Sequence, residues 1–477
     1  MSQIRPGSGH PPVVISGRSS PQTVLHRVLW YCYELSANQW LGPVELKRLQ
    51  ERRLREIVRH AYDKVPLYKE KLDAQGIKPE EIKSLDDIRK LPFTTKQEIR
   101  DGIPDRSIAR DYHLEDCVRA STSGTSGGPM PVYYDRRFLD YCMAAWRFRK
   151  RQAIGVKPWQ KVMVIGYGGL VTRRKNQGEE IQRKERKSHG RESLGPVANL
   201  LRGRERTVTI ASDAKEVLTQ MLEFDPKLIR GTPSYLRLLA EAMAERGIEG
   251  LGDKVVRTEG EVADEETRKF LESSFKCKVY DEYSSWDFGN GAWQCTKREG
   301  YHVDADLLIL EVVKGNEPAS PGERGEIVVT NLLNYAMPLI RYRVGDLGVL
   351  DDKTCSCGRG LPLLKSIDGR EVDCFTLPSG QRITPRTIMT VIQGTLGVSR
   401  YQAVQESTNR VRIELMRRGD EPNVSVDELV GKCHGILGED MDIEVSVTDR
   451  KDLKAKFRPI ISMLTMAGEP RWTAPRS

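Results

Sequence analysis

The 477-residue chain has no long hydrophobic run. The most apolar early stretch, Val24 to Leu35, is broken by His26, Arg27 and Glu34. A spanning helix needs about 18 apolar residues, so with charged residues at 30% and a mean hydropathy of -0.51 an integral membrane protein is excluded. The first two dozen residues are rich in Pro, Gly and Ser and lack an apolar core followed by a small-residue cleavage site, so no secretory signal is read there. Residues 1–22 are expected to be a loose tail. Cysteine is sparse and odd in number, nine in all, which disfavours a disulfide framework and fits a reducing, cytoplasmic setting. Glycine loops are present, but none is followed by the Lys-Ser/Thr pair of a Walker A sequence, which disfavours a P-loop nucleotidase.

A net charge of +9 suits polyphosphate and carboxylate ligands as well as nucleic acid. The excess is concentrated between Arg173 and Arg206, in a stretch poor in apolar residues and without interleaved aromatics. It reads as an exposed insertion, with a basic lid over anionic ligands as the alternative. No nucleic-acid partner is expected.

The chain is long enough for two or three units at about 150 residues each. Apolar residues at helical spacing over 45–65 and short helices to about residue 102 make the N-terminal third mainly helical. Strand-like runs at 161–168, 227–231, 253–260 and 277–284 then alternate with helical stretches at 213–223 and 233–246, predicting parallel sheet covered by helices. From Leu307 the pattern changes to strands joined by turns. Beyond Gly369 it becomes a compact α+β unit.

The segment Ala120 to Pro131 carries hydroxyls at Ser121, Thr122, Ser123, Thr125 and Ser126 among Gly124, Gly127 and Gly128. Such a turn can aim O–H and backbone N–H donors at one anion. It is followed in order by RTEGE at 257–261, DEYSSWDFG at 281–289, RYRVGD at 341–346, DGREVD at 368–373 and KAKFRP at 454–459. Together with the early pattern Leu54 to Tyr68, this series resembles the phenylacetate-CoA ligase and CapK-like branch of the adenylate-forming enzymes, over residues 25 to 465.

The resemblance implies an α/β fold: a large N-terminal AMP-binding domain over 23–368, with parallel sheets, helices and a β-rich subdomain, then a small mobile α+β domain over 369–477. It implies that ATP and Mg²⁺ activate a carboxylic acid as an acyl-adenylate, which is passed to coenzyme A. A carrier-protein thiol or a sugar amine is the alternative acceptor, and an adenylate-binding protein without turnover the other reading. Thr122, Ser123, Gly124, Thr125, Ser126 and Gly127 match the loop on the ATP phosphates, with Gly128 where a Lys is common. Gly260 and Glu261 match the segment against adenine, and Tyr283 the aromatic that stacks on it.

Asp346 matches the acidic residue on the ribose hydroxyls. Either Arg341 or Arg343 is expected to be its partner or a phosphate contact. Arg370 matches the arginine that reaches the nucleotide beside a hinge at 370–373, where Val372 and Asp373 replace paired aspartates. Lys456 matches the lysine of the first chemical step, with Ala455 in place of the usual Gly.

The DEYSSWDFG segment departs furthest from that pattern. Ser284 replaces Gly, Ser285 follows it, Trp286 stands at a hydroxyl position and Asp287 replaces the Glu that helps hold Mg²⁺. Asp is still a hard oxygen ligand, one methylene shorter. Trp286, Tyr167 and the turn at 166–169 are candidates for the wall of an aromatic-acid pocket.

Cys295 and His302, with Cys355 and Cys357 further on, make a donor set suited to tetrahedral Zn²⁺. Buried free thiols are the competing reading. The oligomeric state is left open, a homodimer being one option.

Overall fold

The computed structural model describes residues 21–121, 130–166, 204–210, 212–393, 395, 398–417, 425–448 and 459–464. Thr122–Gly127, Tyr167, Lys456 and most of the basic stretch lie outside the described residues.

Pro21–Asn38, Pro43–Lys64 and Pro66–Ala74 open the chain as helices, each with Pro in its first turn. Pro fits there because the first turn's N–H groups have no helical partner. Leu46, Leu54, Ile57, Val58 and Ala61 recur at helical spacing and are buried, packing against the β-rich half through Leu308, Ile327, Leu339 and Tyr342.

Five strands run parallel in the spatial order Glu205–Thr209, Val162–Gly166, Leu228–Gly231, Val255–Glu259, Val279–Ser285. This is a doubly wound order. The second strand in space is the first in sequence, so the chain leaves it in both directions and opens a crevice at the strand ends beside it. Helices Ala214–Phe224, Pro233–Glu245 and Glu265–Phe275 cover one face, burying Val217, Leu236 and Leu271 on Met163, Ile229 and Val256. The other face packs on the chain after helix Arg136–Ala144, through Ile154 and Val156 against Val162, Leu228 and Tyr280.

The β-rich region is not a separate layer. Hairpin Val279–Ser285/Gly289–Trp293 turns the sheet antiparallel, and it continues through Tyr301–Val303, Leu363–Arg370, Tyr342–Asp351 and Arg324–Asn331 to form one sheet of twelve strands.

After Arg370 a short turn, Glu371–Asp373, leads into a second core. A four-stranded sheet in the order Asp442–Thr448, Arg410–Arg417, Val398–Ser407, Ile460–Ser462 buries Ala403, Ile413 and Ile460 with Ile392, Leu429 and Cys433 from helices Pro385–Gln393 and Val426–Leu437. Gly369 has φ +95°, and a Cβ there would lie 2.9 Å from Pro385. Glycine therefore lets the chain turn closely past the second unit. Among the described residues no helix is long and apolar enough to cross a membrane.

Candidate active site

Gly260, Glu261 and the segment from Tyr283 to Asp287 lie near or past the carboxyl ends of the parallel strands, and Asp346 and Arg370 meet Tyr283 from the antiparallel half of the sheet. Tyr283, near the end of Val279–Ser285, donates its hydroxyl to Asp346 Oδ2 at 2.8 Å. The ring is buried at 8% exposure, and burial together with the adjacent carboxylate raises the phenol well above its ordinary value. It stays a neutral donor. Gly291 makes room for it, since a Cβ there would sit 2.8 Å from the Tyr283 carbonyl.

Arg370 Nε lies 3.8 Å from Asp346 Oδ1, and the two residues are register partners across Tyr342–Asp351 and Leu363–Arg370. Arg341 and Arg343 are not partners of Asp346. Arg341 is forked onto Glu311 at 3.0 and 3.2 Å, and Arg343 pairs with Glu326. Their guanidiniums lie over the Phe93 ring at 3.9 and 4.2 Å, an arrangement that fixes the loop before Lys96. The expected pairing of either arginine with Asp346 is corrected: both are taken by other carboxylates.

Asp287 is buried at 6% exposure. Its Oδ2 accepts from the Tyr342 hydroxyl at 2.8 Å, while Oδ1 has no hydrogen-bond partner among the described residues. A buried carboxylate oxygen left open costs free energy unless something hard and positive occupies it. Ser284 and Ser285 are half-buried, and Ser285 Oγ accepts from the Asp287 backbone N–H at 3.2 Å. Trp286 sits at the hairpin turn, 38% exposed, its carbonyl held by the Tyr134 hydroxyl. Gly260 has φ +80°, and Glu261 beside it accepts from the Ser234 amide and hydroxyl at 3.1 and 3.0 Å, at the start of helix Pro233–Glu245.

Lys96 is the residue that sequence reasoning missed. Thr94 bridges to Tyr342, with Thr94 N–H on the Arg341 carbonyl and Arg343 N–H on the Thr94 carbonyl, each at 2.9 Å. Thr95 and Glu98 then form a capping box that starts helix Lys96–Asp101. This delivers a half-buried ammonium into the field of Asp287, Arg370 and Asp346. Burial lowers its pKa, with Arg370 pushing the same way and Asp287 opposing.

Beneath the strand ends lies a buried polar layer. Glu282 Oε1 accepts from Lys150 Nζ and Trp146 Nε1, each at 2.7 Å, and burial of this carboxylate is outweighed by Arg257, Lys150 and Arg230, which hold its pKa down at about 2. On the opposite face Asp281 accepts from Thr258 and Tyr301, and burial pushes it up to about 6. An acid whose pKa rises on folding binds more protons folded than unfolded, so its contribution falls as pH climbs from about 4 to about 6, on the order of a few kcal/mol in all. Asp281→Asn is therefore expected to lose that part of the slope and to gain thermal stability relative to the parent at pH above about 6, by unfolding scans at several pH values.

Cys295, His302, Cys355 and Cys357 converge with all donor atoms within 4.8 Å of one another. Cys295 Sγ and Cys355 Sγ are 3.7 Å apart, and Cys357 Sγ lies 3.4 Å from His302 Nε2. The Lys297 N–H points at Cys295 Sγ at 3.4 Å. Three thiols and an imidazole so close, on three separate segments, fit a tetrahedral metal.

A doubly wound sheet with an aromatic, an acid and an arginine at its strand ends, followed by a small α+β unit, defines an adenylate-forming CoA-ligase fold. The same fold is seen in a 2-hydroxyisobutyryl-CoA ligase in its postadenylation state in complex with R3-HIB-AMP, at a TM-score of 0.72 and 20% identity over 90% of this chain and 91% of that one. No family model matches the chain. It is 31% identical to a phenylacetate-coenzyme A ligase of Thermus thermophilus over 80% of this chain and 81% of that protein, and 32% identical to the Escherichia coli enzyme of that name over 70% and 73%. The chain belongs to the phenylacetate-coenzyme A ligase family.

Proposed function

We propose that this chain uses MgATP to convert a carboxylic acid into an acyl-adenylate and pyrophosphate, and then transfers the acyl group to the thiol of coenzyme A. The observation that carries this reading is the joining of Tyr283, Asp346 and Arg370 at the strand ends, with the open oxygen of Asp287 on the same hairpin.

In this reading Tyr283 presents its ring to adenine alongside Gly260 and Glu261. Asp346 exchanges part of its bonding to Tyr283 for the ribose hydroxyls, and Arg370 stays within reach of the nucleotide. Thr122–Gly127 grips the phosphates and Lys456 meets the reacting centre. Asp287 Oδ1 would hold Mg²⁺, which supplies charge neutralisation on the phosphates when bound. Tyr342 keeps that carboxylate aimed. Lys96 adds a second cation near the phosphates. The cysteine-histidine set would hold a structural Zn²⁺, tying the sheet's antiparallel half to the loop before Leu363–Arg370.

Residues 369–477 act as a small domain that turns about 370–373, so that one adenylate meets different walls in the two half-reactions. The soluble, cytoplasmic setting and the choice of coenzyme A over a carrier-protein thiol belong to the same proposal. Pyrophosphate release across a panel of acids tests it: release must need both acid and ATP, and thioester must appear when coenzyme A is added. ATP binding without release for any acid would favour a non-catalytic adenylate binder.

For Lys96→Met, kcat/KM for ATP is expected to fall by about 10- to 100-fold. Because burial already favours the neutral amine, the alkaline limb of the parent's pH profile should begin below the ordinary lysine range and be absent from the variant.

A further inference from the structure

Two buried arginines face each other across neighbouring parallel strands. Arg230 and Arg257 are direct register partners on Leu228–Gly231 and Val255–Glu259, so their side chains lie on the same face of neighbouring strands. Both are buried, at 8% and 2% exposure. Like charges facing across a strand pair repel, and a buried guanidinium is costly unless its donors are used.

Arg230 is used: it pairs with Glu259, and its guanidinium lies 5.8 Å from the Trp146 ring centre. Arg257 is not. Its Nε forms an ion pair with Glu282 Oε2 at 3.1 Å, but neither that oxygen nor Nε, Nη1 or Nη2 has a hydrogen-bond partner among the described residues. The other Glu282 oxygen is occupied by Lys150 and Trp146. A planar donor fork is thus held buried with its terminal nitrogens open.

The place is the second observation. The crevice of this doubly wound sheet opens between the ends of Val162–Gly166 and Leu228–Gly231. Arg230 immediately precedes Gly231 at its lip, and Arg257 lies in the next strand, on the same face. Tyr283 and Asp346 mark the nucleotide at the far end of the same row of strands.

We infer that Arg257, seconded by Arg230, reads a second oxygen-acceptor group on the acid, and that a carboxylate, which matches the guanidinium fork with two parallel hydrogen bonds, is the preferred group. The inference rests on the acid-activating reading above and narrows its substrate class to dicarboxylic acids, away from plain aryl or alkyl ones.

The test uses matched acids: phenylacetate against para-carboxyphenylacetate, and pentanoate against glutarate. Pyrophosphate release is read in the full-length protein, and acid binding by calorimetry in the presence of AMP. The parent is expected to favour the dicarboxylate of at least one pair by about tenfold or more in kcat/KM, mainly through KM. Arg257→Met should erase that preference, the dicarboxylate losing more kcat/KM than its matched monocarboxylate, while Arg257→Lys, which keeps the charge but not the fork, should restore part of it. Equal or better use of the monocarboxylates by the parent, or a preference unchanged in Arg257→Met, overturns the inference and leaves acid activation standing. Arg257-dependent binding of a dicarboxylate without pyrophosphate release keeps the subsite and overturns the activity. Binding of no acid overturns the subsite.

Discussion

Lys456→Ala is expected to lower acid-dependent pyrophosphate release by about 100-fold or more while ATP still binds. In the first half-reaction an anionic carboxylate approaches an anionic α-phosphate, and negative charge grows on the transferring group. An ammonium placed beside both acts mainly on that transition state, so its loss should appear in kcat rather than in nucleotide affinity. In the proposed reading affinity instead rests on Tyr283, Asp346 and Arg370, whose mutual contacts do not involve Lys456. The second half-reaction needs no phosphoryl attack. Acyl-AMP supplied ready-made should therefore still yield thioester in the variant, and an equal loss in both half-reactions would contradict the role given to Lys456.

Joint replacement of Cys355 and Cys357 by serine is expected to reduce bound zinc from one per chain to almost none. It should also lower the thermal midpoint by more than ordinary surface changes do. Structural zinc contributes about 10 to 16 kcal/mol in isolated finger peptides, and less is expected here because the surrounding sheet has its own core. Even so, four donors would be left as two, with Cys295 fully buried at 0% exposure. Elemental analysis checks the first effect and an unfolding scan the second. Unchanged metal content, or a metal-free parent of undiminished stability, would return these residues to buried thiols.

Much of this arrangement was legible in the residues. The runs at 161–168, 227–231, 253–260 and 277–284 became Val162–Gly166, Leu228–Gly231, Val255–Glu259 and Val279–Ser285, because buried parallel strands are apolar over most of their length. Glu205–Thr209 was not legible. It is the edge strand, mostly exposed, and its polar residues merge into the basic stretch before it. The four metal-type donors could be named from spacing, but their convergence depends on pairing of Tyr301–Val303 with Leu363–Arg370, which spacing does not reveal.

The RYRVGD arginines misled because a strand end offers many carboxylates. Glu326 lies on the adjacent strand Arg324–Asn331 and Glu311 on Leu308–Lys314 one strand beyond, and local sequence cannot rank them against Asp346. Lys96 was invisible for a related reason: its neighbourhood is built by a bridge to Tyr342, distant in the chain, and a lysine in a first helical turn carries no signal of its own. Arg257 was noticed only as part of RTEGE, since burial of its fork follows from strands and a helix far apart in sequence.

Acid-dependent exchange of labelled pyrophosphate into ATP, with coenzyme A left out, isolates the adenylation step from everything after it. Exchange that appears only when a carboxylic acid and Mg²⁺ are both present is the predicted result. A well-folded protein that binds ATP yet exchanges no label with any mono- or dicarboxylic acid would contradict it.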